Sequence, residues 1–172
     1  TMACNITQGV TLDCVDQNGG IEKIFIANGP TESFTESAGT ITAITVAGSA
    51  LTPSDFFEFE VPRQTSSFTE TINVSQENGT LFYDQALTMI LNKRDAAIRD
   101  QILLLSQNNE LVVVFKDNNG KYWSVGIARN AYMTAGTNVS GVAYGDRSGS
   151  ELTFSGMEEQ PSFEVTGSIV EA

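Results

Sequence analysis

Histidine, the commonest acid–base side chain near neutral pH, is absent from this chain. Its absence removes Ser–His and Cys–His nucleophile pairs and His-based zinc sites. Carboxylates, amides and two thiols remain. Glu58 and Glu60 stand two apart in Phe-Phe-Glu-Phe-Glu-Val, and paired carboxylates can cleave glycosidic bonds when a cleft raises the pKa of one of them. Here Phe57, Phe59 and Val61 alternate with the two glutamates, which predicts one buried and one water-facing side of a strand, with both acids in water. Asp16-Gln17-Asn18-Gly19 and Asp117-Asn118-Asn119-Gly120 resemble fragments of calcium loops, but neither continues to the closing glutamate of an EF-hand. Turn formation explains both. Cys4 and Cys14 can close a short loop as a disulfide or stay as thiols in a reducing cytosol. Gly141, Gly145 and Gly149 recur by fours, which is not the G-x-G-x-x-G of a dinucleotide loop. No catalytic group, metal site or cofactor is nominated, and the chain is expected not to be an enzyme.

Composition narrows the field further. A chain of 172 residues, 41% hydrophobic, suffices for one domain that buries about 70% of its unfolded surface. No apolar run is long enough to cross a membrane. No basic, apolar leader opens the chain; Met2 reads as the natural start, with Thr1 left over from processing or cloning. Nine Lys and Arg against 21 Asp and Glu give a net charge of −12. Such a surface does not bind DNA or anionic lipid by neutralising charge. It serves solubility, and it also suits a wall past which DNA must slide without sticking.

The elements that would position these residues are strands. Residues 1–20 read as an N-terminal arm with at most a short strand near residues 10–12, and residues 21–172 as one β domain. Strands are expected at residues 21–27, 41–46 and 56–61, with loops over 31–39 and 48–55. Residues 67–92 form the organising feature, a long hairpin turning at Asn78-Gly79, a pair suited to a type I′ turn. That turn would set Ser75 opposite Phe82 and Glu70 opposite Leu87. One face then carries Phe68, Ile72, Val74, Tyr83, Leu87, Met89 and Leu91 toward a core. The other presents Thr69, Thr71, Asn73, Asp84 and Thr88. A helix over about residues 93–106 follows, N-capped by Asn92, with a core stripe of Ile98, Ile102 and Leu105 widened by Leu103 and Leu104. Residues 111–115 predict a central strand covered on both sides, turning at 117–120 into a partner over 121–128. A glycine-rich loop over 136–149, a strand at 151–155 and a weak last strand at 163–170 complete the chain. The fold class is mainly β: an antiparallel β-sandwich or barrel with one flanking α-helix.

Several short motifs carry a family resemblance. Ala3-Cys4-Asn5-Ile6-Thr7-Gln8-Gly9 with Cys14 and Gly19-Gly20, Ser67-Phe68-Thr69-Glu70-Thr71-Ile72, and Glu77-Asn78-Gly79-Thr80 resemble a family of tail proteins of tailed bacteriophages, particularly phages of Bacteroidetes-type hosts. Gly145-Asp146, Ser148-Gly149, Leu152-Thr153 and Gly156-Met157-Glu158 add to it, while residues 31–39 and 48–55 match nothing in that family. The resemblance implies a tail-tube-like subunit that self-assembles into stacked, hexameric rings forming a channel for DNA passage. It implies a place in the virion tail after assembly in the host cytoplasm. Partners would be other copies and tail proteins such as the tape measure and terminator, with DNA only in transit and no membrane. Thr69, Thr71, Asn73, Asp84 and Thr88 are then the candidate lumen face. Cys4, Asn5, Cys14, Glu70, Gly145 and Asp146 are candidate inter-subunit residues; Glu70, with Gln85 one of two polar residues on the apolar face, must lie near the open end of the sheet or be paired, as with a Lys or Arg of a neighbouring subunit. The competing readings are another virion component, a terminator or head decoration protein, and a carbohydrate- or calcium-binding β-sandwich module marked by exposed Tyr122, Trp123 or Tyr132.

Overall fold

Period-two alternation decides the architecture, strand by strand. The computed structural model describes residues 4–171; the expected start at Met2, with Thr1 before it, lies outside the described residues. In chain order the elements are β1 (Ile21–Asn28), β2 (Thr31–Ser37), β3 (Thr40–Val46), β4 (Ser49–Ala50), β5 (Phe57–Glu60), β6 (Ser67–Ser75) and β7 (Thr80–Leu91). After these come α1 (Ala96–Gln107), β8 (Leu111–Asp117), β9 (Tyr122–Val125), β10 (Tyr132–Val139), β11 (Gly149–Glu158) and β12 (Glu164–Val165). The large sheet runs β2-β3-β12-β9-β8-β1-β5, with β4 beside β3, and the small sheet runs β10-β11-β7-β6. The fold is a mainly β, two-sheet sandwich with one flanking helix. Among the named strand pairs only β12 with β3 is parallel. Among the described residues no helix is long and apolar enough to cross a membrane.

The large sheet is apolar on both sides. Ile24, Ile26, Val113 and Phe115 point between the sheets, against Leu87, Met89, Leu152 and Phe154 of the small sheet. Phe25, Ala27, Val112 and Val114 point the other way, into a second core closed by Ile41, Ile44, Leu51, Phe56, Val165 and Val170. Strand β8 is therefore covered on both faces, as its continuous apolar run predicts. The two sheets come close where glycine meets glycine: a Cβ on Gly156 would stand 2.8 Å from the Cα of Gly126, whose φ of +64 also belongs to the left-handed region.

Four sequence expectations need correction. The hairpin register is shifted by two residues, pairing Ser75 with Thr80 and Glu70 with Gln85. Gln76–Gly79 form a four-residue loop in which Gly79 has a positive φ and Asn78 does not, so no type I′ turn exists. The Ser75 hydroxyl accepts the Asn78 N–H at 3.3 Å and holds the loop. Because the shift is even, every side chain keeps its face. Second, the helix begins one turn later: Asp95 is the N-cap, its carboxylate accepting the Ile98 N–H at 2.8 Å. Leu103 and Leu104 lie outside the core stripe, 45% and 59% exposed. Third, residues 31–37 and 132–139 are strands, and residues 10–12 are not. Fourth, Phe57 is 60% exposed, on the edge strand of the large sheet, while Phe59 on the same face packs on the core.

Candidate functional site

The outer face of the small sheet is a patterned surface. Registered rows cross it: Ala135–Thr153–Thr88–Ser67, then Tyr132–Ser155–Ala86–Thr69, then Met157–Asp84–Thr71. All five expected lumen residues, Thr69, Thr71, Asn73, Asp84 and Thr88, fall on this one face, and β10 and β11 extend it with Thr137, Glu151, Thr153 and Ser155. Small hydroxyls and alanines dominate it. Not one of the nine Lys and Arg lies in β6, β7, β10 or β11; the charges on the outer side are Asp84 and Glu151. Arg147, from the loop before β11, reaches Glu151 at 3.6 Å. A surface of this kind offers little to hold a polyanion.

The far end of the hairpin projects beyond the core. On the inward side Ile72, Val74 and Leu81 are 60%, 64% and 50% exposed, with Ile72 paired to Tyr83 and Val74 to Leu81. Phe82 and Met157 add an exposed apolar spot on the outer side. Inward-facing apolar side chains without a core beneath them make an exposed apolar patch of the kind that marks interaction surfaces. The sequence shows the alternation but not where the core ends under it, so this overhang was not foreseen.

Glu70 is satisfied within its own chain. It accepts from Gln85 Nε2 at 3.0 Å and from the Ser162 N–H at 2.8 Å. Gln85, fully buried, accepts the Gly126 N–H at 2.9 Å. Only if Glu70 faced Leu87 with no partner would it call for a neighbour's cation. With the true register and these bonds, Glu70 links the hairpin to the segment before β12 and to the β9 end. Spacing alone could not reveal Ser162, which lies far along the chain.

The other candidate inter-subunit residues lie apart from Glu70. Cys4, Asn5 and Cys14 are exposed on the arm, with both thiols free. Gly145 and Asp146 belong to the turn between β10 and β11, where the Asp146 carboxylate accepts the N–H groups of Ala143 and Val142 at 2.8 and 2.9 Å. Those bonds hold its carboxyl below the usual range. They also fix a turn that thrusts Val142 and Tyr144 fully into solvent.

Signs of a small-molecule site are weaker. A cleft of about 480 Å³ lies where the hairpin leaves the body, lined in part by Phe68, Glu70, Asp117 and Trp123. The Trp123 indole N–H is spent on Asp117 at 3.1 Å, and Tyr122 donates its hydroxyl to Glu171. Burial, followed by that bond, pushes the Tyr122 phenol up to about 12. Both rings are half-buried, so neither forms an open stacking platform; Tyr132 is 40% exposed, on the outer face of the small sheet. Glu58 is ion-paired with Lys23 at 2.9 Å. Glu158 is the one buried carboxyl among the described residues; burial pushes it up against the pull of the Arg129 and Ala128 N–H groups. Among the described residues no group of three or more His, Cys, Asp or Glu could hold a metal ion. Comparison with family models, curated proteins and solved structures returns no match to this chain.

Proposed function

We propose that this protein is a self-assembling structural subunit of a phage tail tube, a non-enzymatic building block whose copies form stacked, hexameric rings around a channel for DNA. One observation carries the reading: a four-stranded sheet free of Lys and Arg, with a Thr/Ser/Ala outer face and two free edges, β6 and β10. Edge pairing between copies would close such sheets into one barrel and remove the unpaired strands. The outer face would line the lumen, where its lack of cations lets DNA pass. The exposed apolar overhang supports assembly, because a lone subunit in water would leave it uncovered. On this reading the chain resides in the virion tail after assembly in the host cytoplasm. Its partners are other copies and tail proteins of the tape-measure and terminator kind. Electron microscopy of the purified protein tests it: long tubes or six-fold rings are expected, and monomers persisting at high concentration would sink it.

A further inference from the structure

The N-terminal arm carries apolar side chains with no role in the sandwich. Ile6, Val10, Leu12 and Val15 are 93%, 91%, 95% and 103% exposed. Residues 4–17 form no strand, and their hydrogen bonding among the described residues is confined to Gln17 with its neighbour Asp16. Ile6, Val10 and Leu12 share one parity, so in an extended strand they would line one face. An extended, alternating apolar segment is a strand that lacks a sheet.

A surface of matching kind lies at the end of the large sheet. Strand β5 is paired with β1 on one side, and its other edge has no strand partner among the described residues. A groove of about 230 Å³ runs between β5 and α1, walled by Phe59, Leu91, Ile98, Ile102 and Leu105, with Ala97, Gln101 and the β5 glutamates Glu58 and Glu60 also lining it. Helix α1 buries only Leu105. A helix of this length depends on tertiary packing, and here much of its surface is unclad.

The arm's root is turned away from the β5 of its own chain. The Asn118 N–H donates to Gly20 O at 3.2 Å and its side chain to Gly19 O at 2.6 Å. Asn119 holds the Asn18 N–H and carbonyl at 2.8 and 3.0 Å. Both asparagines sit in the β8–β9 turn, and β8 flanks β1 on the side opposite β5.

We propose that residues 4–15 of one copy add as a strand to the free edge of β5 in a second copy, seating Ile6, Val10 and Leu12 in the groove against α1. The choice of a second copy as partner rests on the self-assembly reading, though not on the tube. The contact is heterologous, so it propagates from copy to copy.

The arm's own cysteines supply the probe. Full-length protein carrying Ala97→Cys or Gln101→Cys is prepared unlabelled and nitrogen-15-labelled, mixed, and oxidised with copper–phenanthroline. Disulfides joining Cys4 or Cys14 of one isotope to position 97 or 101 of the other are expected. Adding Val10→Asp and Leu12→Asp should lower their yield about tenfold or more while leaving the thermal midpoint unchanged. Linkage within single chains only, no linkage, or linkage that survives the double substitution would overturn the proposal. Micrographs of the same samples separate the two readings: linked chains without tubes support docking and remove the tube, and tubes without linkage overturn docking alone.

Discussion

Replacing Ile72 and Val74 together by aspartate puts a magnitude on the hairpin overhang. In the free subunit these side chains are 60% and 64% exposed. Full burial of an Ile or Val side chain is worth about 1.5–3 kcal/mol, so covering the remaining surface in an assembly contributes about 1–2 kcal/mol each. A carboxylate forced into the same contact adds a desolvation cost of a further ~1–3 kcal/mol. The pair should therefore weaken association by about 4 kcal/mol or more, roughly a thousandfold. In the free subunit the loss is confined to two cross-strand contacts, Ile72 with Tyr83 and Val74 with Leu81, together about 1 kcal/mol. Sedimentation velocity alongside thermal unfolding separates the two effects. Assembly should vanish at concentrations where the parent assembles, with the midpoint falling only a few degrees. Unchanged assembly would refute the reasoning, and so would a variant that unfolds before it can be assayed for assembly.

Glu70→Gln should act on folding, costing about 1–2 kcal/mol because the Ser162 N–H loses a charged acceptor; for a domain of this size that lowers the midpoint by about 3–6 °C, and an assembly defect without it would contradict the intrachain role. Asp84→Lys with Asn73→Lys should leave folding and assembly intact and impair DNA passage, read as particles that form tails but fail to deliver their genome. The acid side of the stability profile follows from four carboxylates held below their usual range: Asp55 by the Thr52 N–H and then its hydroxyl, Asp95 by the Ile98 N–H, Asp146 by the Ala143 and Val142 N–H groups, and Glu171 by the Tyr122 hydroxyl and then Lys23. Their contribution is present above the unfolded-state values and lost as pH falls through the lower folded ones, so the midpoint should drop below about pH 4. Glu158 runs the other way, since burial raises it; its ionisation costs stability as pH rises through the raised value, and Glu158→Gln should gain on the parent between about pH 4 and 7.

Local alternation made most of the fold legible. The Thr/Asn/Asp face of the hairpin is readable because side chains on a strand change sides at every residue, and that rule survives even a register error of two. Strand β8 declares itself by five apolar residues in a row. What could not be read depends on distance. Whether Ile72 and Val74 meet a core or water depends on where the opposing sheet stops. Glu70 depends on Ser162, brought to it by the chain's return before β12. Strands β2 and β10 were hidden because their small polar residues, Thr31–Ser37 and the Gly136 region, have the composition of loops; they are strands because neighbours on the sheet supply their ladders. The helix start moved because Asp95 is the residue whose carboxylate reaches the exposed N–H groups of the first turn.

The central claim is that the outer face of the small sheet, whose strands hold no Lys or Arg, looks inward on a channel. A cryo-electron-microscopy reconstruction of the assembled protein tests this most directly. The claim predicts a closed barrel in which β6 of one copy pairs with β10 of the next, with Thr69, Thr71, Thr88 and Thr153 on the lumen wall. A tube lined by the large sheet or by α1 would contradict it.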